Sequence, residues 1–276
     1  MPRPSIQSEK TASPGELTAG IAHEIQNPLN FVNNFAELSV DLAKELNEEI
    51  DKEMKDKDLV KDLVSDLTQN QEKINHHGKR AAAIVTGMLQ HARTSTGKKE
   101  PTDLNALADE YLRLSYHGLR AKDSSFNAQM VTDFDPTVGM VEVIPQHIGR
   151  VFLNLVNNAF YATQQRKANV GEVQNLPDVE GYEPKVSLSS RRTESGMIEI
   201  RIRNNGTGIP DSVKAKIFQP FFTTKPTGQG TGLGLSLAYD IVTKGHGGTL
   251  EVETKEGERT AFIVHLPVIK NQNEPL

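Results

Sequence analysis

Apolar residues recur at Ile21, Ile25, Pro28, Val32, Phe35, Leu42 and Leu46 in alternating steps of four and three, with Ser39 as the polar member of the seam. This is the heptad spacing of a helix that packs one stripe against a partner. A second seam with the same alternation runs through Leu63, Leu67, Asn70, Ile74, His77, Ala81, Ile84, Met88 and His91. "SPGE" marks the start of the first helix: Ser13 can cap, Pro14 suits the first turn, and Glu16 stands where a capping box places it. The pattern predicts two helices joined by the charged connector "NEEIDKEMKDKD", an antiparallel hairpin. A hairpin alone buries one stripe per helix, so a homodimer forming a four-helix bundle is expected.

After "TSTGKKEPT" the pattern changes. Gly97 and Pro101 mark a polar break, read as a hinge over 96–102, with the hairpin unit at 13–95 and a tail at 1–12. A helix is expected over Asp103–Ala121. Strand-like runs follow near Phe126–Phe134 and at "MVEVI", then the helical stretch "PQHIGRVFLNLVNNAFYAT". The polar segment Gln164–Pro184 reads as a long loop. The alternating runs "KVSLSS", "MIEIRIR", "TLEVET" and "TAFIVHLP" read as strands, with a glycine-rich region and a helix between the second and third. These elements predict a mixed α/β domain with a largely antiparallel sheet over 103–270, followed by a tail at 271–276.

Composition removes several function classes. The chain has 276 residues, a net charge of −5 and no cysteine. Disulfide scaffolds, zinc–cysteine sites and thiol catalysis are excluded. Basic residues are scattered, which argues against nucleic-acid binding. No apolar run approaches membrane-span length and no signal segment opens the chain, so the expectation is a cytoplasmic protein or fragment without membrane contact.

Within the first seam, His23 falls on the face opposite Ile21 and Ile25, with Asn27 and Asn30 along the same side. His77 and His91 occupy seam positions and read as structural. A lone helical histidine is commonly structural too, but one pointing away from the seam beside a carboxylate suits a nucleophile. One ring nitrogen attacks while Glu24 holds the proton on the other. Asn27 is placed to orient a water or phosphoryl oxygen, and Pro28 can bend the helix past the site. The spacing does not name the electrophile.

The second half adds four stretches. "NLVNNA" places Asn154 and Asn158 on one helix face, neutral oxygens suited to a magnesium ion that phosphates already carry. "NNGTGIP" follows a strand, and Gly206 and Gly208 permit a tight turn and close backbone approach. In "IFQPFFTTKPTGQGTGLGLS", glycines 228, 230, 232 and 234 run into a helix. Such a loop offers backbone N–H groups to phosphates and reads as a mobile lid, with Lys225 able to reach a phosphate. "KGHGG" reads as a helix stop before a strand.

Taken together, these stretches resemble the sensor histidine kinases of two-component systems over about Ser13–Pro267. "GIAHEIQNPLNF" looks like their H box, "NLVNNA" their N box, "NNGTGI" their G1 box, "IFQPFFTTK" their F box and "GTGLGLS" their G2 box. The resemblance implies a dimerisation and histidine-phosphotransfer hairpin followed by a Bergerat-type ATP-binding α/β sandwich. It implies ATP and magnesium as cofactors, with Asn158 on the metal. The implied nucleotide contacts are Asn154, Asn158, Tyr161, Asn204, Gly206, Gly208, Ile209, Lys225, Gly230, Thr231, Gly232, Leu233, Gly234 and Thr260. His23 is the implied phosphoryl acceptor and a response regulator in trans the next one. "Glu24-x-x-Asn27" also resembles the family's phosphatase motif.

The chain departs from that pattern at Asn204, where the family has an aspartate that accepts a hydrogen bond from the adenine amino group. An uncharged acceptor there implies weakened ATP binding. Arg259 stands where a glycine is usual, and Pro14 stands where the helix normally continues upstream. Two other readings stay open. One is a related ATP hydrolase, for which Asn154 is a poor base. The other is a nucleotide-binding or scaffold module of low activity.

Overall fold

The computed structural model describes residues 14–52, 56–92, 97–172, 181–226 and 230–268. The chain divides into two compact units, Met1–Gln90 with Thr224–Thr231, and His91–Thr223 with Gly232–Leu276.

The first unit contains α1 (Pro14–Ile50) and α2 (Lys57–Ala92). Both are long amphipathic helices, and the seam positions Pro28, Ser39, Leu63, Asn70, Ala81 and Ile84 are buried. Helix α1 continues through Pro28. Ser39 fits the seam because its Oγ donates to the Phe35 carbonyl at 2.7 Å, which satisfies the hydroxyl within its own helix. At the end of α1, Glu49 is buried and accepts the Asp56 N–H at 2.9 Å. Its carboxyl is held below the ordinary carboxylate range by the Lys52 side chain and the Asp56 N–H. Large apolar side chains remain exposed on the hairpin, among them Leu29, Phe31, Leu38, Val40, Val64 and Val85. At 100° per residue, Phe31 and Leu38 flank one side of the α1 seam and Leu29 and Val40 the other. The expected cap at Ser13 lies outside the described residues, as do the side chains of Met88 and His91.

The second unit begins with a strand inside the segment read as a hinge. β1 (Glu100–Asp103) pairs antiparallel with β3 (Met140–Val143). The pairing partner lies some forty residues away, so the local pattern carried no sign of it. Asp103 then caps α3 (Leu104–Lys122), accepting from the N–H groups of Asn105 and Ala106. Strand β2 (Gln129–Phe134) precedes β3, and α4 runs Pro145–Glu172. Residues 164–172 are therefore helix, not the start of a loop; residues 173–180 lie outside the described set. β4 (Lys185–Arg192), β5 (Ile198–Asn204), the short α5 (Asp211–Lys214), α6 (Gly234–Asp240), β6 (Thr249–Lys255) and β7 (Arg259–Leu266) complete the unit.

The main sheet has the order β2-β4-β5-β7-β6, with β2 parallel to β4 and the other pairs antiparallel. Its inner face presents Val186 and Leu188, Ile198, Ile200 and Ile202, and Phe262, Val264 and Leu266, all buried in one core with Val151, Phe152, Leu155, Val156, Ala159 and Phe160 of α4. Phe126 meets Phe160 edge-on at 5.4 Å. The strand-to-helix grammar thus gives one layer of helices over one layer of sheet.

His246, read from sequence as part of a helix stop, is a buried crosslink. A π-helical turn (Ile241–Gly245) follows α6 and delivers its ring to the Ile144 N–H, which donates to Nε2 at 3.1 Å. The ring proton must then sit on Nδ1, which donates to the Ile241 carbonyl at 2.9 Å. This tautomer joins the π turn to the junction of β3 and α4. Burial holds His246 below the ordinary histidine value, with Lys99 adding to the effect. His147, its ring 6.2 Å away, is shifted the same way by burial, His246 and Arg150.

Both histidines bind protons less readily folded than unfolded. Their stabilising contribution is complete above about pH 6.5 and is lost as pH falls below it toward the folded values. Chemical denaturation of the chain will give a lower midpoint for the sheet-bearing unit at about pH 5.5 than at about pH 7.5. His246→Leu will flatten part of that difference and cost about 1–3 kcal/mol at the higher pH, because the Ile144 N–H is left unpaired.

Candidate functional site

Asn204 ends β5 on the buried face of the sheet and is only 3% exposed. Its side-chain Oδ1 accepts the Gly206 N–H at 2.9 Å, closing an Asx turn at the end of the strand. Gly206 has no room for a side chain, since a Cβ there would lie 2.6 Å from the carbonyl carbon of Ala162 on α4. Gly208 has φ +71°, and a Cβ would lie 2.3 Å from the Lys255 carbonyl oxygen. The Ile209 N–H donates to Thr254 Oγ1 at 2.8 Å, and that hydroxyl lies 3.2 Å from the hydroxyl of buried Thr260. Thr260 is the register partner of Asn204 across β5 and β7. Asn204, Gly206, Gly208, Ile209 and Thr260 are thereby gathered into one turn.

A second group holds the turn from outside and is not evident in the sequence. Arg166 Nη1 donates to the carbonyls of Asn205 and Glu258, each at 3.0 Å. Its guanidinium lies over the Tyr182 ring, 4.8 Å from the centroid. The Tyr182 hydroxyl is 3.1 Å from the Asn205 carbonyl oxygen, and burial pushes its pKa up to about 12. The Asn205 amide bridges to Lys185 N–H and the Glu183 carbonyl. Arg166 escaped notice because it sits in the polar stretch read as loop; the absence of a helix breaker between Gln164 and Gly171 was the available signal.

Helix α4 supplies the opposite wall. Asn154, Asn158 and Tyr161 lie half-buried on it at helical spacing, next to the Ala162 that Gly206 touches. Burial raises the Tyr161 phenol above its ordinary value. Asn154 Oδ1 meets the first residue of α6, since a Cβ on Gly234 would lie 3.1 Å from it. Leu233 is buried. Gly232 has φ +67°, and a Cβ there would lie 2.2 Å from the carbonyl carbon of Phe221, itself at φ +65°. Gly232 thus lies against the Phe221 backbone at a distance that only glycine permits.

Lys225, Gly230 and Thr231 belong to Thr224–Thr231, which is grouped with the helical unit, while residues 227–229, including Gly228, lie outside the described set. His23, Glu24 and Asn27 are carried by α1, the first two with side chains outside the described set. Arg259 opens β7 and lines, with Arg201, Arg203, Glu253, Thr254 and Ala261, a concavity of about 460 Å³.

The walls of the turn and of α4 are neutral, built from amides, hydroxyls and close-packed backbone. Among the described residues no cluster of three or more His, Cys, Asp or Glu could hold a metal by itself. This donor set fits a metal that arrives on an anionic ligand and takes one amide oxygen from the protein. The glycine cradle fits a flat or phosphate-bearing ligand that approaches backbone closely.

Gly208→Ala should cost at least about 2 kcal/mol in chemical denaturation, because positive φ and a backbone clash combine at one position. Tyr182→Phe should cost about 1 kcal/mol, the net value of one hydrogen bond.

Residues 144–270 match the family of histidine kinase-, DNA gyrase B- and HSP90-like ATPases. The chain is 32% identical over 263 residues to sensor kinase CckA of Brucella abortus (strain 2308), covering 95% of this chain and 25% of the relative. It is 27% identical to sensor histidine kinase ZraS of Klebsiella oxytoca, covering 98% of this chain and 49% of the relative. The chain thus spans between a quarter and a half of these relatives' length. The crystal structure of histidine kinase ThkA in complex with response regulator protein TrrA is similar, with a TM-score of 0.56, 25% identity, and coverage of 92% of this chain and 62% of that one. With the two-helix hairpin ahead of the glycine-turned sheet domain, the chain is similar over nearly all of its length to part of these sensor histidine kinases.

Proposed function

We propose that the chain phosphorylates itself on His23 from a magnesium nucleoside triphosphate and passes the phosphoryl group to an aspartate of a separate response regulator. The observation that carries this reading is the pairing, in one chain, of a helix bearing His23-Glu24-x-x-Asn27 with a domain whose turn, α4 and α6 converge on a neutral, glycine-lined site. The co-crystal of ThkA with TrrA supports a receiver-domain partner.

Asn158 supplies the amide oxygen to magnesium. Asn204 and Thr260 face the base. Gly232, Leu233 and Gly234, with Lys225, Gly230 and Thr231 from the preceding loop, take the phosphates. A nitrogen of the His23 ring forms the N–P bond as the bond from the γ-phosphorus to the leaving diphosphate oxygen breaks. Glu24 stabilises the proton on the other ring nitrogen. Asn27 orients the water for the reverse task, removal of phosphate from the regulator. An ATP hydrolase of the same fold needs a base on α4 to activate water, and Asn154 lacks a basic group. The hairpin's exposed apolar flanks support a homodimer through a four-helix bundle. Among the described residues no helix is long and apolar enough to cross a membrane.

A second reading, a weakly active nucleotide-binding scaffold, is favoured by Asn204. Replacing a charged acceptor with a neutral one lowers affinity for an adenine amino group by about ten- to thirtyfold, from a loss of about 1–2 kcal/mol.

Incubation with γ-labelled ATP and magnesium will put acid-labile label on the parent and none on His23→Ala, while Asn204→Asp will label faster. Label that survives His23→Ala would refute His23 as the acceptor. Absence of label from all three proteins would favour the scaffold reading. In sedimentation velocity the chain will run as a dimer and Leu38→Glu/Val40→Glu, one change on each flank of the seam, as a monomer of similar helix content.

A further inference from the structure

The face of the main sheet turned away from α4 gathers cations that are scattered in sequence. Successive residues of β5 and β7 point to opposite faces. Asn204 and Thr260 are buried on the inner face, so their chain neighbours Arg203 and Arg259 point outward. Arg203, Ala261 and Glu253 form one row across β5, β7 and β6. Ala261 is small and buried, and it makes a floor between two longer side chains. The concavity of about 460 Å³ lies over this floor, with Arg201, Arg203 and Arg259 in its lining against the single carboxylate of Glu253.

The charges here do not balance. Glu253 stands in the row of Arg203 but turns to Arg201, whose Nη1 donates to it at 2.7 Å. Arg201 also lies 3.5 Å from Glu199, so it already holds two carboxylates. Neither Arg203 nor Arg259 has an ion pair or a side-chain hydrogen bond among the described residues. Lys255, directly opposite Arg259 in register, pairs with Glu258. The Glu258 carboxyl is held below its ordinary value chiefly by Lys255, and Arg259 and Arg166 add a smaller part from further off. Like charges facing one another across strands are unfavourable. Arg203 and Arg259 flank Ala261 as diagonal neighbours, about 7–8 Å apart at Cα. An anion between them would turn their repulsion into attraction. Both arginines are presented from rigid strands, and the Arg259 carbonyl takes the Thr254 hydroxyl at 3.1 Å.

We propose that this concavity is an anion site, which binds a small molecule bearing two oxyanion groups, carboxylates or phosphates, one on Arg203 and one on Arg259. A planar guanidinium takes either group through two parallel N–H···O bonds. A volume of this order suits a small molecule. Arg259, at a place where a glycine is usual, thereby has a task. The site lies on the opposite face of the sheet from Asn204 and Thr260, and it stands whether or not the glycine-lined turn binds a nucleotide.

Citrate and pyrophosphate serve as the carboxylate and phosphate probes. Each is titrated calorimetrically into the full chain without magnesium or nucleotide, at about 0.15 M NaCl so that loosely held surface charge is screened. At least one probe should bind with a dissociation constant below about 1 mM, and which one binds tells carboxylate from phosphate. Arg203→Gln/Arg259→Gln should weaken that binding at least about tenfold. Arg113→Gln/Arg120→Gln, an equal change of charge on α3, should leave it unchanged, with circular dichroism and thermal unfolding showing that all three proteins are folded. No binding of either probe to the parent would overturn the proposal. So would binding that neither probe loses in Arg203→Gln/Arg259→Gln. An equal loss in the two double variants would mean that net charge alone attracts the anion, and would overturn it as well.

Discussion

The backbone at Gly206 lies against the backbone of Ala162 with no space for a side chain between them, and the arrangement of the candidate site follows from that contact. It sets the height of the β5 turn on α4. It demands a small residue on α4 and none on the turn. Once the turn is seated, the Gly206 N–H has nowhere to find a partner except the side chain two residues back, and Asn204 supplies it. Arg166 and Tyr182 then hold the outside of the same turn through the carbonyl of Asn205. The face of α4 that carries Asn154, Asn158 and Tyr161 is thereby brought beside the turn on one side and the start of α6 on the other. A helix with fewer polar positions would pack the sheet as well; this one is kept amphipathic because its outer face is a wall of the site.

The hairpin obeys a looser constraint. Its seam contains Ser39, Asn70 and His77 among apolar residues, and polar seam positions lower stability while narrowing the choice of register and partner. The turn at its end is held by a buried carboxylate, Glu49, which takes the Asp56 N–H and pairs with Lys52. The charged connector thus contains one residue that is internal. Glu49 belongs to the last turn of α1, and a carboxylate at a helix C-terminus opposes the helix dipole. Its placement is explained by what it closes, not by the helix it stands on.

Much of this fold was readable because its elements announce themselves by period. The heptads of α1 and α2 and the alternation of β4, β5 and β7 act through neighbours within a few residues in sequence, and the glycines at 206, 208, 232 and 234 are visible as a residue type although what they touch lies far along the chain. The features that escaped are those whose cause lies far along the chain. "EPTD" has no strand pattern of its own and becomes β1 because β3 offers it a ladder. Residues 164–172 carry no apolar stripe yet continue α4, and Arg166 among them reaches the turn carbonyl of Asn205. His246 looked like punctuation between glycines and proved to be a buried acceptor for an N–H about one hundred residues away. The candidate site was legible as a set of types, and Asn204 stood out as a departure. That its amide oxygen takes the Gly206 N–H was not legible, because that depends on how the turn closes.

Three asparagines, at 154, 158 and 204, occupy places where a nucleotide site could have held carboxylates. On the proposed reading this neutrality has a physical consequence for how the site assembles. A nucleoside triphosphate brings several negative charges, and carboxylates around it would add repulsion that only a prebound cation could offset. Amides add none. The protein then has little reason to hold magnesium before the nucleotide arrives, in keeping with the lack of any acidic or histidine cluster among the described residues. Compensation for the phosphates falls to the metal they carry and to backbone N–H groups freed by glycine. A buried carboxylate at 204 would gain strength from its charge and tolerate imperfect geometry. An amide at 204 keeps a second lone pair on its oxygen beside the Gly206 N–H and accepts there without charge.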